Sequence, residues 1–138
     1  KYMDKNRYEY LAKNVFESCL EVHRAMGPGL LESVYEDCLK HELSIRNIKV
    51  DSQVIVPVYY KDFKIERNFK VDLLIENKII IELKSCEILL PIHTAQLISY
   101  LKLADKKMGF LVNFNVGLLK NGFKRFVNEY NHIHEDED

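Results

Sequence analysis

Cysteine is scarce here and badly spaced for cross-linking. The three thiols, Cys19, Cys38 and Cys86, are odd in number, far apart and without a C-x-x-C pair. That argues against a disulfide framework, a zinc site and a cysteine-held iron–sulfur cluster, and reads as reduced thiols in a cytoplasmic protein. No apolar stretch approaches the length of a membrane span, and the polar opening at residues 1–10 has no signal-peptide character. Familiar catalytic signatures are missing too. There is no glycine-rich phosphate loop after a strand, no H-E-x-x-H and no serine elbow, and the five histidines are scattered. Charge of one sign is also lacking: 20 Lys and Arg meet 21 Asp and Glu, so bulk electrostatics do not name a nucleic-acid partner.

What is present describes one ordinary globular domain. The 138 residues are 47% apolar and 30% charged, enough to bury a core without staples. Residues 1–131 read as that domain and 132–138 as an acidic, disordered tail. Four acids end the chain, Glu135 to Asp138; without them 20 basic residues face 17 acidic ones, a balance of +3. Basic residues gather at Lys61, Lys64, Arg67 and Lys70, and again at Lys120, Lys124 and Arg125. They could line a phosphate path or simply occupy solvent-facing strand positions.

Apolar residues at Tyr8, Leu11, Val15, Cys19, Val22 and Met26 step by three or four, the stripe of an amphipathic helix that Gly27-Pro28-Gly29 breaks. A second helix fits residues 31–46, with Leu31, Val34, Cys38 and Leu39 inward and Asn47 as its stop. β-Branched and aromatic runs follow at 54–60, 63–67, 69–75 and 79–83, with turns at Lys61-Asp62 and at Glu76-Asn77-Lys78. Then come a helix over 94–104 capped by Thr94, a buried parallel strand at 108–114, and a short piece at 123–127 that fits a strand or a helical turn. The predicted order is α-α-β-β-β-β-α-β, one mixed sheet flanked by helices, with 79–83 as a central strand.

The chemistry concentrates in Lys70-Val71-Asp72-Leu73 and Ile81-Glu82-Leu83-Lys84. Strand alternation sends Glu82 and Lys84 to one face and Ile81 and Leu83 to the other. Pairing through the turn near residue 77 sets Asp72 opposite Glu82. Two carboxylates and an ammonium then meet on an apolar sheet. Like charges repel and burial makes them costlier, and a hard divalent cation relieves both. E-x-K alone is a weak signal, since Glu76-Asn77-Lys78 repeats it in a turn; cross-strand ion pairs on a wet sheet face account for these residues about as well. Gln96 and Tyr100 share one face of the helix that follows, and Glu32 sits in the first turn of its own helix, where the exposed amides favour a carboxylate. His23 lies one turn before the glycine break.

These motifs resemble a known family. Gly29, Glu32 and Tyr35 match the G-x-x-E-x-x-Y signature of a group of small prokaryotic proteins placed in the PD-(D/E)XK nuclease superfamily, and the likeness runs from about residue 22 to 127. Asp72, Glu82 and Lys84 fall on that superfamily's D…E-x-K motif. Gln96 and Tyr100 fall on the Q-x-x-x-Y motif of RecB-type nuclease domains. The resemblance implies a restriction-endonuclease-like core, Mg²⁺ or Mn²⁺ as cofactor, no iron–sulfur cluster, and hydrolysis of DNA or RNA phosphodiesters. It implies that Asp72 and Glu82 hold the metal with Glu32 and His23 assisting. Lys84 would then stabilise charge, Gln96 position water or Lys84, and Tyr100 and Arg67 contact nucleic acid.

Three functional readings follow. The first is a metal-dependent nuclease acting on nucleic acid, DNA before RNA, with a homodimer left open and no membrane partner. The second is a nucleic-acid-binding module of little or no catalysis on the same fold. The third, ranked last, is an interaction domain pairing through a strand edge at 78–83.

Overall fold

The computed structural model describes residues 4–128. Its first helix, α1 (Lys5–Met26), starts at Asp4, whose side chain accepts the Arg7 N–H at 3.2 Å, and stops at Gly27, whose φ of 70° few other residues tolerate. The expected stripe is buried from Tyr8 to Val22, joined by Ala12 and Ser18, but Met26 at the fraying end is exposed. Helix α2 (Glu32–Ile45) buries Tyr35, Leu39 and Leu43. Leu31, expected inward, precedes the helix and faces solvent, so the apolar stripe is rotated from the predicted one. Asn47, at φ 60°, ends this segment as expected.

Tyr35 closes the connection between the two helices. Its hydroxyl donates to the Gly27 carbonyl at 2.5 Å and accepts from the Leu30 N–H at 3.1 Å, while its ring stacks on Phe114 at 4.4 Å. The G-x-x-E-x-x-Y pattern is thus a local unit: the glycine turn, the first-turn glutamate and the tyrosine that fastens the turn.

The sheet has five strands in the order β1-β2-β3-β4-β5. β1 (Val50–Tyr60) and β2 (Phe63–Ile75) form a long hairpin, turning at Lys61 with φ 54°. The pieces expected at 63–67 and 69–75 belong to one strand, which stays paired with β1 on both sides of a register shift between Pro57↔Asn68 and Tyr59↔Lys64. β2 turns into β3 (Ile79–Lys84) through Glu76 and Asn77, both at positive φ as a tight hairpin turn requires. Helix α3 (Pro91–Leu103) starts three residues earlier than expected. Pro91 takes the first helical position, and the His93 Nδ1, not Thr94, accepts the Leu90 N–H. The crossover delivers β4 (Met108–Asn113) parallel to β3, and β5 (Phe123–Val127) returns antiparallel.

Helices α1 and α2 cover one face through Leu73, Ile81, Leu83 and Phe110; α3 covers the other with Leu97 and Leu101 on Val71, Ile80 and Leu111. β3 is central and apolar on both faces, each buried isoleucine contributing about 1.5–3 kcal/mol. That position rules out the edge pairing considered for 78–83. No helix among the described residues is long and apolar enough to cross a membrane. The acidic run at 132–138 lies outside the described residues.

Candidate functional site

Two neighbouring strands turn over at the same level. On β2, Val71 packs with α3 whereas Leu73 packs under α1 and α2. Residues two apart on a regular strand share a face, so the backbone inverts at Asp72. On β1, Val50 lies on the α1–α2 side and Val54 on the α3 side. The inversion there falls at Gln53, which holds φ 52°, a conformation costing a non-glycine residue about 1–3 kcal/mol. Ser52↔Leu73 and Val54↔Val71 bracket the two residues, so Gln53 and Asp72 are side by side.

The inversion interrupts the next ladder. β2 and β3 pair regularly from Ile75↔Ile79 to Leu73↔Ile81, and then the carboxylates take over. The Asp72 N–H donates to Glu82 Oε2 at 2.8 Å, and the Leu83 N–H donates to Asp72 Oδ2 at 2.8 Å. Each carboxylate reaches into the gap between the strands and accepts from the backbone opposite. The two groups meet as the register predicted, but between the strands rather than standing together on one face.

Charge has accumulated around Glu82, which is 6% exposed. Burial pushes its carboxyl up to about 8; the Asp72 and Glu32 charges push the same way, while the Asp72 N–H and the Lys84 ammonium oppose them. Glu32, in the first turn of α2, accepts the Ser85 N–H at 3.2 Å just past the end of β3. It also borders an open depression lined by Leu30, Leu31, Ser33 and Ser85. Tyr100 stacks on Phe69 at 4.1 Å; burial first, then the Glu82 and Asp72 charges, raise its hydroxyl pKa. Asp72, Glu82, Glu32, Lys84 and Tyr100 thus belong to one electrostatic neighbourhood.

Three predicted residues stand outside it. Gln96 is exposed on α3, one turn before Tyr100, and among the described residues makes no hydrogen bond to a carboxylate. The His23 Nε2 lies 2.8 Å from the Val116 carbonyl, so that nitrogen is committed to a backbone contact. No hydrogen bond among the described residues joins His23 to Asp72, Glu82 or Glu32. Arg67 is exposed farther along β2, and Arg125 of the second basic cluster is engaged by Glu9.

Other residues complete the site without having been singled out. The Gln53 amide donates to Glu36 Oε1 at 2.7 Å and to Asp72 Oδ1 at 3.4 Å. Burial raises the Glu36 pKa, the Gln53 bond lowers it, and the Asp72 charge raises it. Glu36 is four residues after Glu32, on the same helix face, and that spacing was the available signal. Asn113, buried at the end of β4, accepts the Cys86 and Asn115 N–H groups and donates to the Cys86 carbonyl at 2.8 Å. It fixes the loop that leaves Lys84; nothing in its sequence context marked it.

The donor set is one of hard oxygens. Among the described residues no three His, Cys, Asp or Glu groups are placed to hold a metal ion together. Two adjacent carboxylates with Glu32 nearby suit a small hard cation that keeps several of its own waters, as Mg²⁺ does.

A family model described as the PD-(D/E)XK nuclease superfamily matches residues 9–126. The chain belongs to this superfamily. Its mixed five-stranded sheet with helices on both faces is the restriction-endonuclease-like PD-(D/E)XK fold. Members are typically nucleases and usually use divalent metal ions. A solved structure described as "Crystal structure of SSO0001" is similar over 96% of this chain and 66% of that one, at 23% identity and a TM-score of 0.48. The present chain thus spans about two thirds of that protein's length. No curated protein matches.

Proposed function

We propose that this PD-(D/E)XK chain is a divalent-metal-dependent nuclease that hydrolyses phosphodiester bonds in nucleic acid, DNA foremost, within a single domain. One observation carries the reading: Asp72 and Glu82 displace the ordinary β2–β3 ladder, Glu82 accepting the Asp72 N–H and Asp72 accepting the Leu83 N–H. A strand interruption, a strained Gln53 and a buried carboxyl held near pH 8 all cost stability, and they converge on one spot. Asp72 and Glu82 would hold Mg²⁺ or Mn²⁺, with Glu32 assisting from α2. When bound, such an ion lends positive charge to a phosphodiester and acidifies water.

The chain's own groups do the rest. Each carboxylate keeps one oxygen on a backbone amide, which limits its rotation before substrate arrives. Lys84, beyond the buried face of β3, brings a cation to where phosphoryl charge develops. Tyr100 and Phe69 wall the α3 side. Gln96, one turn from Tyr100, is assigned to positioning water or Lys84. His23 is left out of the metal set, because its Nε2 already contacts Val116.

The test is cleavage of single-stranded, duplex, branched and RNA substrates with Mg²⁺ or Mn²⁺. Asp72→Asn and Lys84→Ala should each lower the rate by roughly 100-fold or more with the fold retained. Metal-replete protein inert on every substrate would overturn the hydrolase assignment.

A further inference from the structure

The β1–β2 hairpin outruns the sheet. β2 pairs with β3 only from Ile75 to Leu73, yet its pairing with β1 continues to Tyr60↔Phe63. Residues 63–70 therefore form a two-stranded arm with β1 alone. Along β1, Tyr60 opposite Phe63 stands seven residues from Gln53 beside Asp72, roughly 23 Å along a strand. Isolated two-stranded ribbons are marginal in water and usually present polar side chains. This one exposes Tyr59, Tyr60 and Phe63, the last two at 64% and 67%.

The arm is also basic. Lys61, Lys64, Arg67 and Lys70 outnumber Asp62 and Glu66, on a chain whose overall charge is near zero. The Lys61 ammonium lies 5.4 Å from the centre of the Tyr60 ring. β1 alternates from Val56, which pairs with Phe69, to Tyr60, which pairs with Phe63, so Phe63 and Phe69 share a face across the register shift between Pro57 and Tyr59. Phe69 in turn stacks on Tyr100 beside the carboxylates. Aromatic rings follow one face from the tip of the arm to the site, and the exposed Arg67 lies in the irregular stretch of β2 between them.

We infer that this arm is a docking strip for unpaired nucleic acid: Tyr60 and Phe63 stack on bases, Lys61 and Arg67 engage phosphates, and the strand is led past Tyr100 toward Asp72 and Glu82. Flat rings interleaved with cations suit single strands, whose bases are free to stack, better than blunt duplex, whose bases are not. This inference rests on the nuclease reading for its direction of travel, and its own test is one of binding.

The test is fluorescence anisotropy of the full chain with a labelled oligothymidylate and with a blunt duplex, in an Asp72→Asn background that does not cleave. The pair Tyr60→Ala and Phe63→Ala should weaken oligothymidylate binding on the order of tenfold or more, and duplex binding far less. Tyr60→Phe should retain affinity, which separates stacking from loss of fold. Lys61→Glu should reduce the salt dependence of binding. Unchanged oligothymidylate affinity in the alanine pair, or equal losses on both probes, overturns the strip. So does a sedimentation shift from dimer to monomer in the alanine pair, which would make the arm a contact between copies. Stacking-dependent binding with a wild-type chain that cleaves nothing leaves the strip standing and removes the nuclease reading. Cleavage by arm variants at the wild-type rate does the reverse.

Discussion

Glu82 shows how one side chain sets a pH profile. Its carboxyl sits near 8 in the folded chain against an ordinary value of 4.5, mainly through burial. Between those values the folded state holds a proton that the unfolded state has released. Stability from this group is therefore full below about pH 4.5 and falls as pH rises toward 8, by about 1.4 kcal/mol per pH unit at its steepest. Glu82→Gln removes that dependence. Urea denaturation of metal-free protein should find the variant more stable than wild type at pH 9 and nearly equal at pH 4.5. A wild-type advantage at pH 9 would mean that Glu82 is not held against its preferred charge. Asp72 and Glu82 were legible in the sequence because hairpin register and alternation constrain strand residues tightly. Gln53 was not, because its left-handed φ breaks the very alternation that such reading assumes.

At the scale of elements, the close approaches are where substitutions bite. A Cβ on Gly122 would stand 2.2 Å from the Asn113 carbonyl oxygen, backbone that anchors the end of β4. Gly122→Ala should cost about 2 kcal/mol or more and loosen the Asn113 clamp on the loop after Lys84, seen as a lowered Tm. An unchanged Tm would show that the β4–β5 connection shifts freely. The helices, both hairpin turns and the central place of β3 were readable from periodicity and turn residues. The boundaries were less so. Splitting β2 near Asn68 read as a break between strands the stretch where its register with β1 shifts. Starting α3 at Thr94 favoured a side-chain cap where Pro91 already supplied the helical φ. His23 shows a different limit: helical periodicity gives its face, but its partner, Val116, is 93 residues away.

For the molecule as a whole, the sheet holds its charged groups at one end of an apolar interior. β3, apolar on both faces, carries Glu82 and Lys84 at its C-terminal end; α2 brings Glu32 and Glu36 from one side, and α3 brings Tyr100 from the other. Binding a cation there should offset the repulsion stored among the carboxylates and stabilise the whole fold. Calorimetric titration of the metal-free chain with Mn²⁺, alongside its thermal unfolding, tests this most directly. Wild type should bind Mn²⁺ and rise in Tm with metal concentration, and Asp72→Asn and Glu82→Gln should each weaken binding by about tenfold or more. Binding that is absent in wild type, or unaltered in both variants, would contradict the assignment of Asp72 and Glu82 as metal ligands.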